Sequence, residues 1–221
     1  MIQEAPLPHR HASLSALRWR MRRGFLNAKR LDYEASVLAS VYGAVRLGED
    51  LELTGLLREV GLGEDAISAL RFRQNGSEYS VILPTERTWK QARLKDRAFG
   101  VGLRESAVGR SVLIVPPAEV RLQPRLRNAK RIYHTKMVPA CGDMETLIAC
   151  INAWGDGASL IDCEAALAGP HPRNRVFGLV YGGHFAMDLM VGITDQSVVR
   201  LRHPHPNGCW ETLGWRPVHA V

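Results

Sequence analysis

Residues 170–189 read PHPRNRVFGLVYGGHFAMDL. Pro172 suits the first turn of a helix, where its missing N–H is no loss. Val176, Phe177, Leu179 and Val180 predict one inward face, and Gly182-Gly183 stops the helix. Beyond it Phe185, Met187 and Leu189 alternate with His184, Ala186 and Asp188, the pattern of a half-buried strand. A helix that carries Arg173, Asn174 and Arg175 in its first turn and runs straight into a strand has two readings. It either enters a nucleic-acid groove with a wing behind it, or it is an ordinary α/β corner with solvated arginines.

The flanking sequence extends the pattern. VGITDQS (191–197) reads as a loop and VVRLRH (198–203) as the returning strand. Upstream, GDMETLIACINAW (142–154) predicts a helix with Asp143 as N-cap, Glu145 in its first turn, and an apolar face of Met144, Leu147, Ile148 and Ile151. Ser159 caps the next short helix, LIDCEAALAG (160–169). Three short helices and a hairpin form the layout of a winged helix. From Met137 to Val199 there are seven acidic residues and two basic ones, Arg173 and Arg175. Both basic residues fall where helix-turn-helix proteins reach base edges, and arginine suits guanine as asparagine suits adenine. Arg200 and Arg202, two apart on the return strand, are expected to face the DNA backbone. The net acidity of the unit argues the other way, toward a protein-docking winged helix.

The chain has 221 residues and a formal net charge of +7. Arg10, Arg18, Arg20, Arg22, Arg23, Lys29 and Arg30 lie between Glu4 and Asp32 with no acid among them, and they equal the whole excess. Trp19 and Phe25 are interleaved with them. Clustered cations of this kind neutralise phosphates and release counterions, so residues 1–30 read as a basic, DNA-binding arm. A second basic stretch, PAEVRLQPRLRNAKRIYHTK (117–136), holds Arg121, Arg125, Arg127, Lys130, Arg131 and Lys136 against Glu119. It reads as a linker helix over 118–138, started by Pro124 and lying along a phosphate backbone.

Between these stretches the chain predicts an α/β unit over 31–117. LDYEASVLASVYGAVRL (31–47) spaces Tyr33, Val37, Val41 and Val45 as a helix does, and LELTGLLREVGL (51–62) is a shorter helix. ALRFRQNGSEYSVILP (69–84) is a hairpin turned at Asn75-Gly76. KQARLKDRAFGVGLRESAVG (90–109) is helical, and RSVLIVPP (110–117) is a buried strand closed by prolines. The expected organisation is a basic arm (1–30), an α/β domain (31–117), a linker helix (118–138), a winged-helix domain (139–202) and a C-terminal tail (203–221).

The order of parts resembles TnsA-type transposon endonucleases. The resemblance rests on LDYEASVL, VLIVPPAEVRLQPRLRNAKRIY, SLIDCEAAL and RVFGLVYGGHFAMDL, and covers residues 29–202. It implies a restriction-endonuclease-like domain followed by a winged helix, with double-stranded DNA and a transposase or recombinase subunit as partners. The family's metal site needs a helix glutamate, a strand aspartate and Glu-x-Lys, because paired carboxylates hold divalent metals while the lysine orients water. Glu34 matches the helix glutamate. Ser80, Val81 and Ile82 stand where the aspartate belongs, and Glu86 and Lys90 are four apart rather than two. Glu78 is the remaining substitute. The expectation is therefore an inactive nuclease fold without a cofactor; an active enzyme would use Glu34, Glu78, Glu86 and Lys90 with magnesium.

Other signals exclude more than they suggest. No run of about 18 apolar residues predicts a membrane span, and no apolar segment follows the N-terminal arginines as in a secretory signal. Cys141, Cys150, Cys163 and Cys209 form no C-x-x-C pair and read as free, buried thiols of a cytoplasmic protein. His203, His205 and Cys209 could make a metal clip, but with prolines between them and no second cysteine pair they read as a loose tail. The reading is a DNA-binding protein of a mobile element or transposase-like complex; the alternatives are a metal-dependent endonuclease and a winged-helix protein–protein adaptor.

Overall fold

The computed structural model describes residues 14–203 and 209–219, and shows a mixed α/β protein. The first element, α1 (Leu14–Val41), takes in most of the expected arm, so residues 14–30 are helix continuous with 31–41. It stops before Val45, which opens β1 (Val45–Glu49) where the sequence predicts more helix. Then come α2 (Leu51–Glu59), the hairpin β2 (Ile67–Gln74) and β3 (Ser77–Pro84), α3 (Glu86–Lys90), α4 (Ala92–Ala107) and β4 (Val112–Ile114). The strands form one sheet in the order β1-β2-β3-β4, antiparallel except for the β3–β4 pair.

Local chemistry explains these elements. Asn75 and Gly76 have φ of 50° and 80°, as a two-residue hairpin turn requires. The Asp50 carboxylate caps α2 by accepting from the Leu53 N–H at 3.1 Å, and it accepts from Ser80 Oγ at 2.6 Å. Ser80 through Pro84 are all buried, because β3 is covered on both faces. One face, with Leu70, Phe72, Val81 and Leu83, belongs to the core that includes Leu31 and Leu38 of α1. The other, with Ile67, Ala69 and Ile82, belongs to the core that includes Leu53, Leu57 and Ala98 of α2 and α4.

The second half contains α5 (Pro117–Val120), α6 (Arg125–Thr135), α7 (Asp143–Ala153), β5 (Ala158–Ser159), α8 (Leu160–Ala166), α9 (Pro172–Tyr181), β6 (Phe185–Met187), β7 (Val198–Leu201) and α10 (Trp210–Leu213). Its strands pair antiparallel in the order β5-β7-β6. The predicted caps hold in part: Ser159 Oγ accepts from the Asp162 N–H at 3.2 Å, while Asp143 is the first helical residue of α7, after Gly142. Val176, Phe177, Leu179 and Val180 are buried as the periodicity predicts.

Two boundaries differ from the expectation. Residues 118–138 are no exposed linker: Leu126, Ala129 and Ile132 are buried, and α6 packs against both α1 and α9. Asn128 lies inside as well, donating to the Leu189 and Val191 carbonyls at 3.0 and 2.6 Å. One apolar core therefore runs from Leu31 and Phe72 to Val176 and Phe185. Nor is 203–221 simply a tail. Trp210 packs on Phe72 and Tyr79 at centroid distances of 5.9 and 5.1 Å and stacks on Trp215 at 5.7 Å. The Val218 N–H then donates to Val112 O at 2.8 Å, on the edge strand β4. The apolar surface of two tryptophans outweighs the local Pro and His content that reads as a loose end.

The halves also meet at Gly178. A Cβ there would stand 1.9 Å from the Met137 carbonyl oxygen, so only glycine lets the segment after α6 cross α9 this closely. At that crossing the Met137 N–H donates to Asn174 O at 2.8 Å.

Candidate nucleic-acid interface

Twenty-eight helical residues make α1 about 42 Å long. Its C-terminal half buries Ala28, Leu31, Ala35 and Leu38, whereas Trp19, Met21, Arg22, Arg23, Phe25 and Leu26 are exposed. Arg18 and Arg20 fall on the same helix, with side chains outside the described residues; Arg10 and His205 lie outside them altogether. Helical spacing puts Arg22, Leu26, Arg30 and Tyr33 on one face. That face adjoins α6, where Arg127 and Arg131 are exposed and Lys130 is half-buried.

A ring cluster marks the seam. Tyr33 Oη and His134 Nε2 are 2.7 Å apart. Tyr133 packs edge-on to Tyr33 and to Tyr181 at 6.4 and 5.8 Å. Lys136 Nζ sits 3.9 Å from the Tyr133 centroid and 4.1 Å from that of Tyr181, and its burial lowers its pKa. Lys130 Nζ lies 5.9 Å from the Tyr33 centroid. Arg131 Nη1 donates to the Ile193 carbonyl at 3.2 Å, and its guanidinium lies 5.9 Å from the Phe177 ring. Among the described residues no carboxylate meets Arg22 or Arg127. The result is a surface of cations and rings built by α1 and α6.

Several candidate contacts are occupied instead. Arg125 is 3% exposed, donating to the carbonyls of Leu213 (2.9 Å) and Glu119. Arg175 is 7% exposed and donates to Asp143 Oδ1 at 3.1 Å and to the Ala168 carbonyl. Both are ties within the fold, because a buried guanidinium must find acceptors inside. Arg173 is held by Glu164 and, at 2.5 Å, by Asp195. Arg202 turns inward to the Val41 carbonyl at 3.1 Å, and burial lowers its pKa. Arg200 is exposed and Asn174 is half-buried. The first turn of α9 thus presents fewer unpaired cations than its sequence suggests. The acids that neutralise them, Asp143, Glu164 and Asp195, are three of the seven that make this stretch of sequence acidic.

The four nuclease candidates do not converge. Glu34 is 1% exposed, and its oxygens accept from Arg121 Nε at 2.9 Å, Lys130 Nζ at 3.0 Å and Arg30 Nε at 3.2 Å. Burial by itself raises this carboxyl's pKa, but the three cations outweigh it and hold the pKa below the ordinary carboxylate range. Glu86 is 3.8 Å from the far side of Arg121. Glu78 pairs with Arg73 and Arg71 at the start of β3. Glu86 lies past the other end of that strand, roughly 25 Å away at the rise of a strand. Lys90 is exposed at the end of α3. Among the described residues no group of three or more His, Cys, Asp or Glu is placed to hold a metal. Cys209, from the weak His203/His205/Cys209 grouping, is buried beside α10, and its N–H donates to Gln74 Oε1 at 2.7 Å.

The ring cluster is what sequence reasoning missed. RIYHTK (131–136) hinted at it by placing Tyr133, His134 and Lys136 beside basic residues, but Tyr33 and Tyr181 join only through tertiary packing. No family model, curated protein or solved structure matches the chain.

Proposed function

We propose that this chain is a DNA-binding protein of a mobile element or transposase-like complex, built on a restriction-endonuclease-like unit and a winged helix, that holds duplex DNA without cutting it. The observation that carries the reading is the α1–α6 face, with Arg22, Arg127 and Arg131 beside the exposed Tyr33 and His134 rings. Cations on a shared face attract phosphates cooperatively with little sequence preference. The sheet order β1-β2-β3-β4 with its parallel β3–β4 pair supports the nuclease-like unit. The run α7-β5-α8-α9-β6-β7 with order β5-β7-β6 supports the winged helix.

The nucleic-acid contact is assigned to α1 and α6 rather than to the start of α9, because Arg173 and Arg175 already hold carboxylates. Binding without cleavage follows from Glu34, whose oxygens serve three cations in place of a metal. A DNA-bound adaptor of this kind would recruit a transposase or recombinase subunit. The test is supercoiled plasmid incubated with the protein and magnesium or manganese. Retarded but intact plasmid supports the reading; nicking that disappears in Glu34→Ala protein would make the chain an endonuclease instead.

A further inference from the structure

A cleft of about 860 Å³ lies between the exposed part of α1 and the start of α3. Trp19, Met21 and Leu31 supply its apolar side, and Arg23, Arg87 and Arg121 its cations. Trp19 is 60% exposed, and the Arg23 guanidinium lies over its ring at 5.2 Å. Arg121 is taken up by Glu34 at 2.9 Å and lies 3.8 Å from Glu86, whereas Arg87 meets no carboxylate among the described residues. We infer that this cleft binds an unpaired stretch of one or two nucleotides, with a base stacked on Trp19 and a phosphate held by Arg87.

Three observations select that occupant. The volume falls in the range of small-ligand sites, which admits a nucleotide or two and excludes a duplex. An exposed indole beside arginines offers both things a single strand presents, a π face and a phosphate. The acids at the rim, Asp65 and Glu86, disfavour a purely anionic ligand such as an acidic peptide, yet can accept from the N–H groups of a base. The site rests on the DNA-binding reading and extends it from duplex to the unpaired DNA at a strand end or distorted junction.

The test uses the full chain, a fluorescently labelled 15-nucleotide oligo-dT and a labelled duplex of the same length, with binding read by anisotropy. Trp19→Ala should weaken oligo-dT binding about 10-fold and leave duplex binding unchanged, while Trp19→Phe, which keeps a ring, should lose about threefold or less. Arg87→Ala should likewise weaken oligo-dT selectively. Trp19→Ala binding oligo-dT as tightly as the parent overturns the site, as does equal loss of both DNAs, which leaves the duplex reading standing. Parent protein that binds neither DNA overturns both. Displacement of oligo-dT by poly-glutamate as readily as by unlabelled oligo-dT shows an unspecific anion cleft and also overturns the site.

Discussion

Arg121 Nε donates to Glu34 Oε2 at 2.9 Å, joining the segment after α5 to the C-terminal half of α1. One turn of α1 thereby holds two acids of opposite character. Glu34 is stabilised as a carboxylate by its cations. Asp32, bonded to Ser68 Oγ, has its pKa raised because burial outweighs that bond.

The pair gives opposite mutational signs. Glu34→Gln should cost about 2 kcal/mol at pH 7, since it leaves Arg121 and Lys130 facing a neutral group. Asp32→Asn should be neutral or stabilising at that pH. Glu34 has a lowered folded-state pKa, so its contribution is present above the ordinary carboxylate range, near pH 4, and is lost as pH falls through the lowered value. Asp32 has a raised one, so its cost at neutral pH is relieved as pH falls through the raised value. Urea melts of both variants at several pH values check this, and the gap between Asp32→Asn and parent should narrow on acidification.

Arg175→Ala should act on stability first. It removes the buried partner of Asp143 and the donor to the Ala168 carbonyl, at a cost of about 3 kcal/mol. Thermal denaturation should register the loss, whereas a base-reading arginine would leave the melt unchanged.

Gly178→Ala should be the most damaging methyl in the second half of the chain. Its Cβ would collide with the Met137 carbonyl, and backbone cannot step aside as a flexible side chain can. A loss of about 3 kcal/mol or more is expected, read as a fall in Tm, with Gly192→Ala, where the Cβ meets open space, as the control.

Thiol chemistry should divide the four free cysteines. Burial pushes the pKa values of Cys163 and Cys209 up to about 12, so neither carries thiolate at neutral pH. Cys141 is exposed and Cys150 half-buried. Brief iodoacetamide treatment at pH 7.5 followed by mass mapping should label Cys141 most and leave Cys163 and Cys209 free until the protein is unfolded.

Helices α7, α8 and α9 and strands β6 and β7 were legible because each carries its own signal: Pro172 and Gly182-Gly183 bound α9, and the alternation from Phe185 marks β6. The hairpin was legible for the same reason, through Asn75-Gly76. What sequence could not supply was partnership. Arg125 and Arg127 stand two apart in one basic run, yet packing sends Arg125 into the core and leaves Arg127 in solvent. Arg22 and Arg173 look equally unpaired in the sequence, but Asp195 reaches Arg173 from the loop before β7. The strap with Trp210 and Trp215 was missed because its partners, Phe72 and Tyr79, lie far back along the chain.

The central claim is that α1 and α6 present their cations to duplex phosphates, and the salt dependence of duplex binding tests it most directly. Anisotropy titrations across a range of salt concentrations should give a steep negative slope of log affinity against log salt for the parent. The Arg22→Ala/Arg127→Ala double variant, which removes two exposed side chains and no internal tie, should bind more weakly and have a slope shallower by roughly 2. An unchanged slope and affinity in the double variant would contradict the account, and would place any DNA contact elsewhere on the protein.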